Sequence, residues 1–384
     1  MLTVAEVRQR LVDGDLVSAR SADDCVRRWV ADHDEGDGDA FVSWLAGEDV
    51  LTPFQVSALQ AGHAAPFLLG PYRVFDRLAH TEMGHVYRAV HAELDLPVSL
   101  KVFSSSLEQQ PVLLARMQRE ARASVELDHP NVLRIFQVGR AGNIYFLASQ
   151  NITGESLADW LVRDSRLAAV PASKVIRQAA LGLQHLHEKC MVHRNVCPQN
   201  LWLNDSGAVK LVGLDWIRDT DGAFGIADPA ASAAKTLVGS VSYLSPEQAE
   251  HPELADAGSD VYALGCVFYH CLTGNPPFPD HDSAAAVTGR TGDAPPVLDS
   301  APETPPAIVK FVEGMLSKNP DNRCGLDELI AGLETQLDPA ELDIAEADAI
   351  PAELLAWLES SGEEAGGGTT LFDGTDFTDW LAEE

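Results

Sequence analysis

Residues with chemical capacity gather in a few short stretches of this chain. Lys101, closing Val98-Ser99-Leu100-Lys101, and Glu120, within Arg119-Glu120-Ala121-Arg122, carry the opposite charges of an ion pair. His193-Arg194-Asn195 and the nearby Asn200 offer an imidazole, a guanidinium and two carboxamides. A carboxamide accepts a hydrogen bond but takes no proton at neutral pH, so Asn195 is unsuited to act as a base. Val212-Gly213-Leu214-Asp215 adds one carboxylate, and oxygens from Asn200 and Asp215 are the ligand type that Mg²⁺ takes. The six cysteines show no CxxC or CxH spacing, which argues against zinc. Cys197 raises a redox reading, against which stands the usual inertness of a lone thiol in a helix-rich region.

In their order and spacing these stretches, with several others, resemble a bacterial Ser/Thr protein kinase from about Tyr72 to Leu337. Val98–Lys101 resembles the VAIK strand, and Glu120, followed by His129-Pro130-Asn131, the glutamate of the small-lobe helix. His193 through Asn200 resembles the catalytic loop, and Ser245-Pro246-Glu247 the APE motif. Ser259-Asp260-Val261-Tyr262-Ala263-Leu264-Gly265 resembles the start of the central large-lobe helix, and Arg323 the arginine that pairs with the APE glutamate. The resemblance implies an α+β, two-lobed protein-kinase-like fold, with a small β-rich lobe and a helical large lobe. It implies ATP and Mg²⁺ as cofactors, with Lys101, Glu120, Gly84, Val86, Gln150 and Asn200 around the nucleotide and Asn200 with Asp215 toward the metal. His193, Arg194, Glu247, Asp260 and Arg323 take bracing roles by the same resemblance. A fold hosts many functions, so activity is judged position by position.

Phosphoryl transfer needs a metal on the phosphates, a group orienting the attacking hydroxyl, and cations facing the transferred charge. The family's orienting aspartate is Asn195 here, and loss of such a group costs roughly 10²–10⁴-fold in rate. The family's loop lysine is Cys197. Where the metal-binding aspartate belongs stands Gly213, which offers no carboxylate to a metal held by oxygens at about 2.0–2.1 Å. Asp215 lies two residues further, roughly 6–7 Å along a strand, and rescues the site only through a bulge or a remodelled loop. Leu214 keeps an apolar side chain where the family has phenylalanine. The phosphate-covering glycine motif is reduced to Ala79-His80-Thr81-Glu82-Met83-Gly84, with two Cβ atoms and an acid where backbone should approach phosphate. Trp202, at a position usually aliphatic beneath the adenine, either narrows that pocket or lies flat as its floor. With the metal ligand gone, Lys101 and Glu120 read as an architectural pair, the alternative being a phosphate-holding pair. Thr236 and Ser240 resemble the phosphorylated threonine and its companion hydroxyl, with Arg194 placed to meet a phosphate; an ordinary polar loop is the rival reading.

These residues need elements to hold them. Alternation and β-rich composition predict strands within Tyr72–Ala89, Pro97–Phe103, Val132–Val138 and Tyr145–Ala148, with a helix over 111–126. Helices are expected over 157–163, 172–190, 259–272 and 305–317, with hairpin strands at 201–203 and 209–212. Residues 1–65 form an α-helical N-terminal extension of two hairpins ending at Gly62. In it Leu11–Ser18 resembles Leu45–Thr52, and Thr52-Pro53-Phe54-Gln55 reads as a capped helix start. Residues 71–337 form the kinase-like domain and 338–384 an acidic flexible tail.

The net charge of −31 and the 46% hydrophobic content indicate a globular chain unsuited to nucleic acid or an anionic membrane. Neither a membrane-spanning run nor a signal-peptide pattern occurs, and a cytoplasmic location is expected. The tail contains two short segments amid acids, 354–358 and 377–381, each placing an apolar residue, Trp and Leu on one helical face. Such a face suits an apolar groove on a protein partner or on the large lobe itself, although ordinary amphipathicity produces the same spacing. Taken together, the residues point to a catalytically inactive pseudokinase acting as scaffold or regulator in signalling. The alternatives are a weakly active ATP-dependent Ser/Thr kinase and a nucleotide-binding switch without phosphotransfer.

Overall fold

Each of the first four helices begins at a side chain that caps it. The computed structural model describes residues 2–14, 16–60, 67–81, 84–103, 124–142, 144–214, 217–219, 241–251, 255–278 and 293–342. Helix α1 (Val4–Asp13) starts at Thr3, whose hydroxyl accepts from the Glu6 amide while the Glu6 carboxylate accepts from the Thr3 amide at 2.7 Å. Ser18 caps α2 (Ala19–Val30) and Asp37 caps α3 (Gly38–Gly47). At α4 (Pro53–Gln60), the Gln55 amide donates to Thr52 Oγ1 at 3.2 Å and the Thr52 amide to Gln55 Oε1 at 3.0 Å. That reciprocal box satisfies two donors that a helix start otherwise leaves orphaned.

The two helix-to-helix turns repeat in geometry as well as in sequence. After α1, the amides of Leu16 and Val17 donate to the Leu11 carbonyl at 3.0 and 3.3 Å. After α3, those of Val50 and Leu51 donate to the Leu45 carbonyl at 2.9 and 3.3 Å. The same backbone turn therefore joins α1 to α2 and α3 to α4.

Contacts divide the chain into two units. The first holds the four helices and a six-stranded sheet of order β1-β2-β3-β4-β6-β5. Its strands are β1 (Leu68–Leu69), β2 (Tyr72–Thr81), β3 (Gly84–His91), β4 (Leu96–Phe103), β5 (Ile135–Ala141) and β6 (Ile144–Gln150). The period-2 pattern sends Tyr87 and Ala89 of β3, and Val98, Leu100 and Val102 of β4, to one buried face. That face and the helices share one core, in which Val7, Leu11, Trp29, Phe41 and Leu45 belong with Tyr72, Val74, Leu100 and Phe146. Phe54 of α4 meets the rings of Tyr87 at 5.4 Å and Phe67 at 6.2 Å. β2 carries two bulges against β3, between Val74 and Asp76 and between Arg77 and Ala79. The carbonyl of Phe75, inside the first bulge, accepts from the Thr52 hydroxyl at 2.6 Å, so the cap of α4 also satisfies the bulge.

The second unit is mainly helical. It contains α5 (Leu157–Asp164), α6 (Ala169–Glu188), α7 (Pro246–Glu250), α8 (Ala257–Thr273), α9 (Val297–Ser300), α10 (Pro306–Met315) and α11 (Leu326–Glu334). Buried residues cover nearly the whole circumference of α8, as expected of a helix at the centre of a core. Its short strands are β7 (Glu155–Ser156), β8 (Met191–Val192), β9 (Leu201–Leu203), β10 (Val209–Leu211) and β11 (Arg218–Asp219). β10, β9 and β7 form one small sheet, and β11 pairs with β8. Val132, expected within a strand, makes only a single parallel bridge to Leu211, and the strand proper begins at Ile135. Leu133 donates its amide to the Leu211 carbonyl at 2.9 Å, which directs this stretch toward β10. Sheet followed by helices, in two units, is the α+β layout of a protein kinase. Among the described residues no helix is long and apolar enough to cross a membrane. Gly62, Glu120, Asp215, Thr236, Ser240 and the tail segments 354–358 and 377–381 lie outside the described residues.

Candidate functional site

On the sheet-bearing unit, Lys101 sits in β4 opposite Val86 of β3 and Leu147 of β6. Leu100 and Val102 on either side of it face the shared core, so alternation sends the half-buried Lys101 to the other face of the sheet. Val86 shares that face, Gly84 opens β3, and the buried Gln150 closes β6 opposite Val98. The Thr81 hydroxyl donates to the Gly84 carbonyl at 3.0 Å where β2 ends and β3 begins.

On the helical unit the loop from His193 to Asn200 is held from beneath. The Asp260 carboxylate, 1% exposed, accepts from the amides of His193 at 2.8 Å and Arg194 at 2.7 Å. It also lies 2.9 Å from His187 Nε2, a partner on α6 that no motif spacing announced. His193 Nε2 meets the Val212 carbonyl at 2.9 Å, and its Nδ1 accepts from the Asn195 amide at 3.2 Å. Arg194 takes a left-handed backbone with φ of 67°, and its carbonyl accepts from Gln248 Nε2 at 2.7 Å. Imposing that conformation on a non-glycine residue costs on the order of 1–3 kcal/mol, which this over-determined loop sustains.

A second brace joins Glu247 to Arg323 through bonds of 2.6 and 2.9 Å. Ser259 Oγ donates to Glu247 Oε1 at 2.8 Å, and the guanidinium lies 4.9 Å from the centre of the Tyr262 ring. Burial alone would raise the Glu247 carboxyl, but its hydrogen bond to Arg323 leads the groups that hold it below the ordinary value. His193, Arg194, Asp260, Glu247 and Arg323 thus meet in a connected framework beneath the loop.

The reacting positions differ in character. The Asn195 carbonyl accepts from Asn200 Nδ2 at 2.8 Å, and the buried Cys197 thiol points at Asn195 Oδ1 across 3.7 Å. Gly213 has φ of +78°, and a Cβ built on it would lie 2.7 Å from Asn200 Cγ and Oδ1 and 2.8 Å from Nδ2. The Asn200 carboxamide therefore stands where a side chain at position 213 would begin. Leu214 is buried beside it. Trp202 Nε1 donates to the Thr153 carbonyl at 2.9 Å, which pins its ring to the segment preceding β7. Among the described residues no three His, Cys, Asp or Glu side chains converge to hold a metal ion. Asn200 ties back through its Nδ2 alone, and its single carboxamide oxygen does not by itself fit Mg²⁺, which takes several hard oxygens.

Residues 72–332 match the protein kinase domain family, and the chain belongs to that family. It is 31% identical over 268 residues to the probable serine/threonine-protein kinase PknB of Lactococcus lactis, covering 69% of this chain and 42% of that protein. It is 34% identical over 261 residues to the serine/threonine-protein kinase PknB of Mycolicibacterium smegmatis, covering 66% of this chain and 40% of that protein. With the serine/threonine-protein kinase PrkC of Bacillus subtilis it shares 29% identity over 281 residues, 71% of this chain and 42% of the relative. The chain spans less than half the length of these relatives.

Proposed function

We propose that this protein is a pseudokinase: it keeps the kinase fold and its internal bracing but does not transfer phosphate, and acts through protein contacts as a scaffold or regulator in signalling. One observation carries the reading. At the position of the metal-binding aspartate stands Gly213, and the neighbouring Asn200 carboxamide fills the space its side chain would need. Asn195 compounds the deficit, because a carboxamide cannot accept the proton of an attacking hydroxyl. Melting the full chain with ATP, with and without Mg²⁺, tests this directly. A scaffold shows no shift with either, a nucleotide switch is stabilised by ATP alone, and a kinase is stabilised only when the metal is present.

The second reading is a weakly active Ser/Thr kinase that takes Asp215 and Asn200 as metal ligands. Its support is the kinase naming of the relatives together with Lys101 and the intact Asp260 and Glu247–Arg323 framework. For the scaffold, the partners are proteins that meet the kinase-like domain, the N-terminal helices or the tail segments 354–358 and 377–381. The place of action is the cytoplasm, where the six free cysteines stay reduced.

A further inference from the structure

Two histidines meet across the β2–β3 hairpin because of the bulges in β2. The ladder pairs Val74 with Ala89, Arg77 with Tyr87 and, after the second bulge, His80 with His85. Continued without bulges from Val74 and Ala89, it would place Leu78 opposite His85. Bulges of this kind re-aim side chains. The Nδ1 atoms of His80 and His85 face each other at 3.3 Å, with ring centroids 4.7 Å apart and planes inclined by 44°. His85 is 9% exposed and its ring lies 6.2 Å from that of Tyr87, whereas His80 is open to solvent. Alternation puts the pair on the Tyr87 face of β3, away from Val86 and Lys101.

A tetrahedral ion bonded to two imidazole nitrogens at about 2.0–2.1 Å holds them about 3.3 Å apart, which is the separation found here. We propose that His80 and His85 form a two-histidine site for a borderline-soft divalent cation of the Zn²⁺ class, with water completing the coordination. Both rings then coordinate through Nδ1 as Nε2–H tautomers, and the chain's net charge of −31 favours cation uptake. Occupancy staples β2 to β3 beside the hairpin turn.

The test titrates the full, chelator-treated chain with ZnCl₂ by calorimetry and by thermal melting, and uses Cu²⁺ as a spectroscopic probe of nitrogen ligation. Saturable one-to-one uptake is expected, with the Cu²⁺ spectrum reporting two nitrogen ligands. His80→Ala and His85→Ala each weaken it at least tenfold, and His251→Ala leaves it unchanged. His80 is exposed, so its replacement leaves the fold standing and the loss reads on coordination. No saturable uptake, or uptake equally strong in His80→Ala, overturns the proposal and leaves the pair as a hydrogen bond between two rings.

Discussion

The proposed loss of metal binding turns on Gly213. Its backbone is left-handed and its missing side chain is replaced in space by the Asn200 amide, which in turn donates to the Asn195 carbonyl. Gly213→Ala is therefore expected to lower stability by about 1–3 kcal/mol, read as a drop in melting temperature. Gly213→Asp alone is expected to give no Mg²⁺-dependent stabilisation by ATP, because the new carboxylate collides with a side chain already committed to its loop. A second residue-scale effect lies at His129, whose ring stacks on His185 with centroids 5.1 Å apart. Burial, then the charges of His185 and Lys210, hold His129 at about 4, below its ordinary 6.5. The unfolded chain then binds the proton more readily, so this contribution is complete above pH 6.5 and is lost as pH falls toward 4. The melting temperature should fall between pH 7 and pH 5. His129 Nδ1 accepts from the Asn131 amide at 3.1 Å, and His129→Asn, which keeps an acceptor there, should make that slope shallower. At this scale the substitutions at Asn195, Cys197 and Gly213 were legible from motif order alone. The Asn200 amide filling the place of residue 213, and His187 joining Asp260, were not, because both depend on how separate segments approach.

Among the elements, Thr52 does two jobs. It closes the box that starts α4 and donates to the bulged Phe75 carbonyl of β2 at 2.6 Å. Thr52→Ala removes both and is expected to cost about 1–2 kcal/mol in denaturant unfolding, the upper part of the range for a lost cap. Thr52→Ser, which restores the hydroxyl, should recover most of it. The cap and the repeated turns were readable because their signals are local: a hydroxyl, a proline and an amide within a few residues. The β2 bulges left no such mark. A bulge exists only relative to the strand beside it, and Phe75 and Leu78 look like ordinary members of an alternating run. The strand expected from Val132 likewise began later, since its bonds go to β10, far along the chain.

Across the whole molecule, the kinase family is evident because its landmarks recur in order over residues 72–332. The N-terminal helices do more than precede that domain: they share one hydrophobic core with the face of the sheet opposite Lys101. The bracing around Asp260 and Glu247 is intact, and on the reading proposed above the groups that perform transfer are replaced at Asn195 and Gly213. Such a pattern fits a chain that depends on the fold for its contacts. The most direct test incubates the full chain with radiolabelled ATP and Mg²⁺ or Mn²⁺, with and without a basic protein acceptor, beside Lys101→Met. A pseudokinase leaves no label above the Lys101→Met background under any of these conditions. Label that accumulates on the chain or the acceptor, and disappears with Lys101→Met, contradicts it.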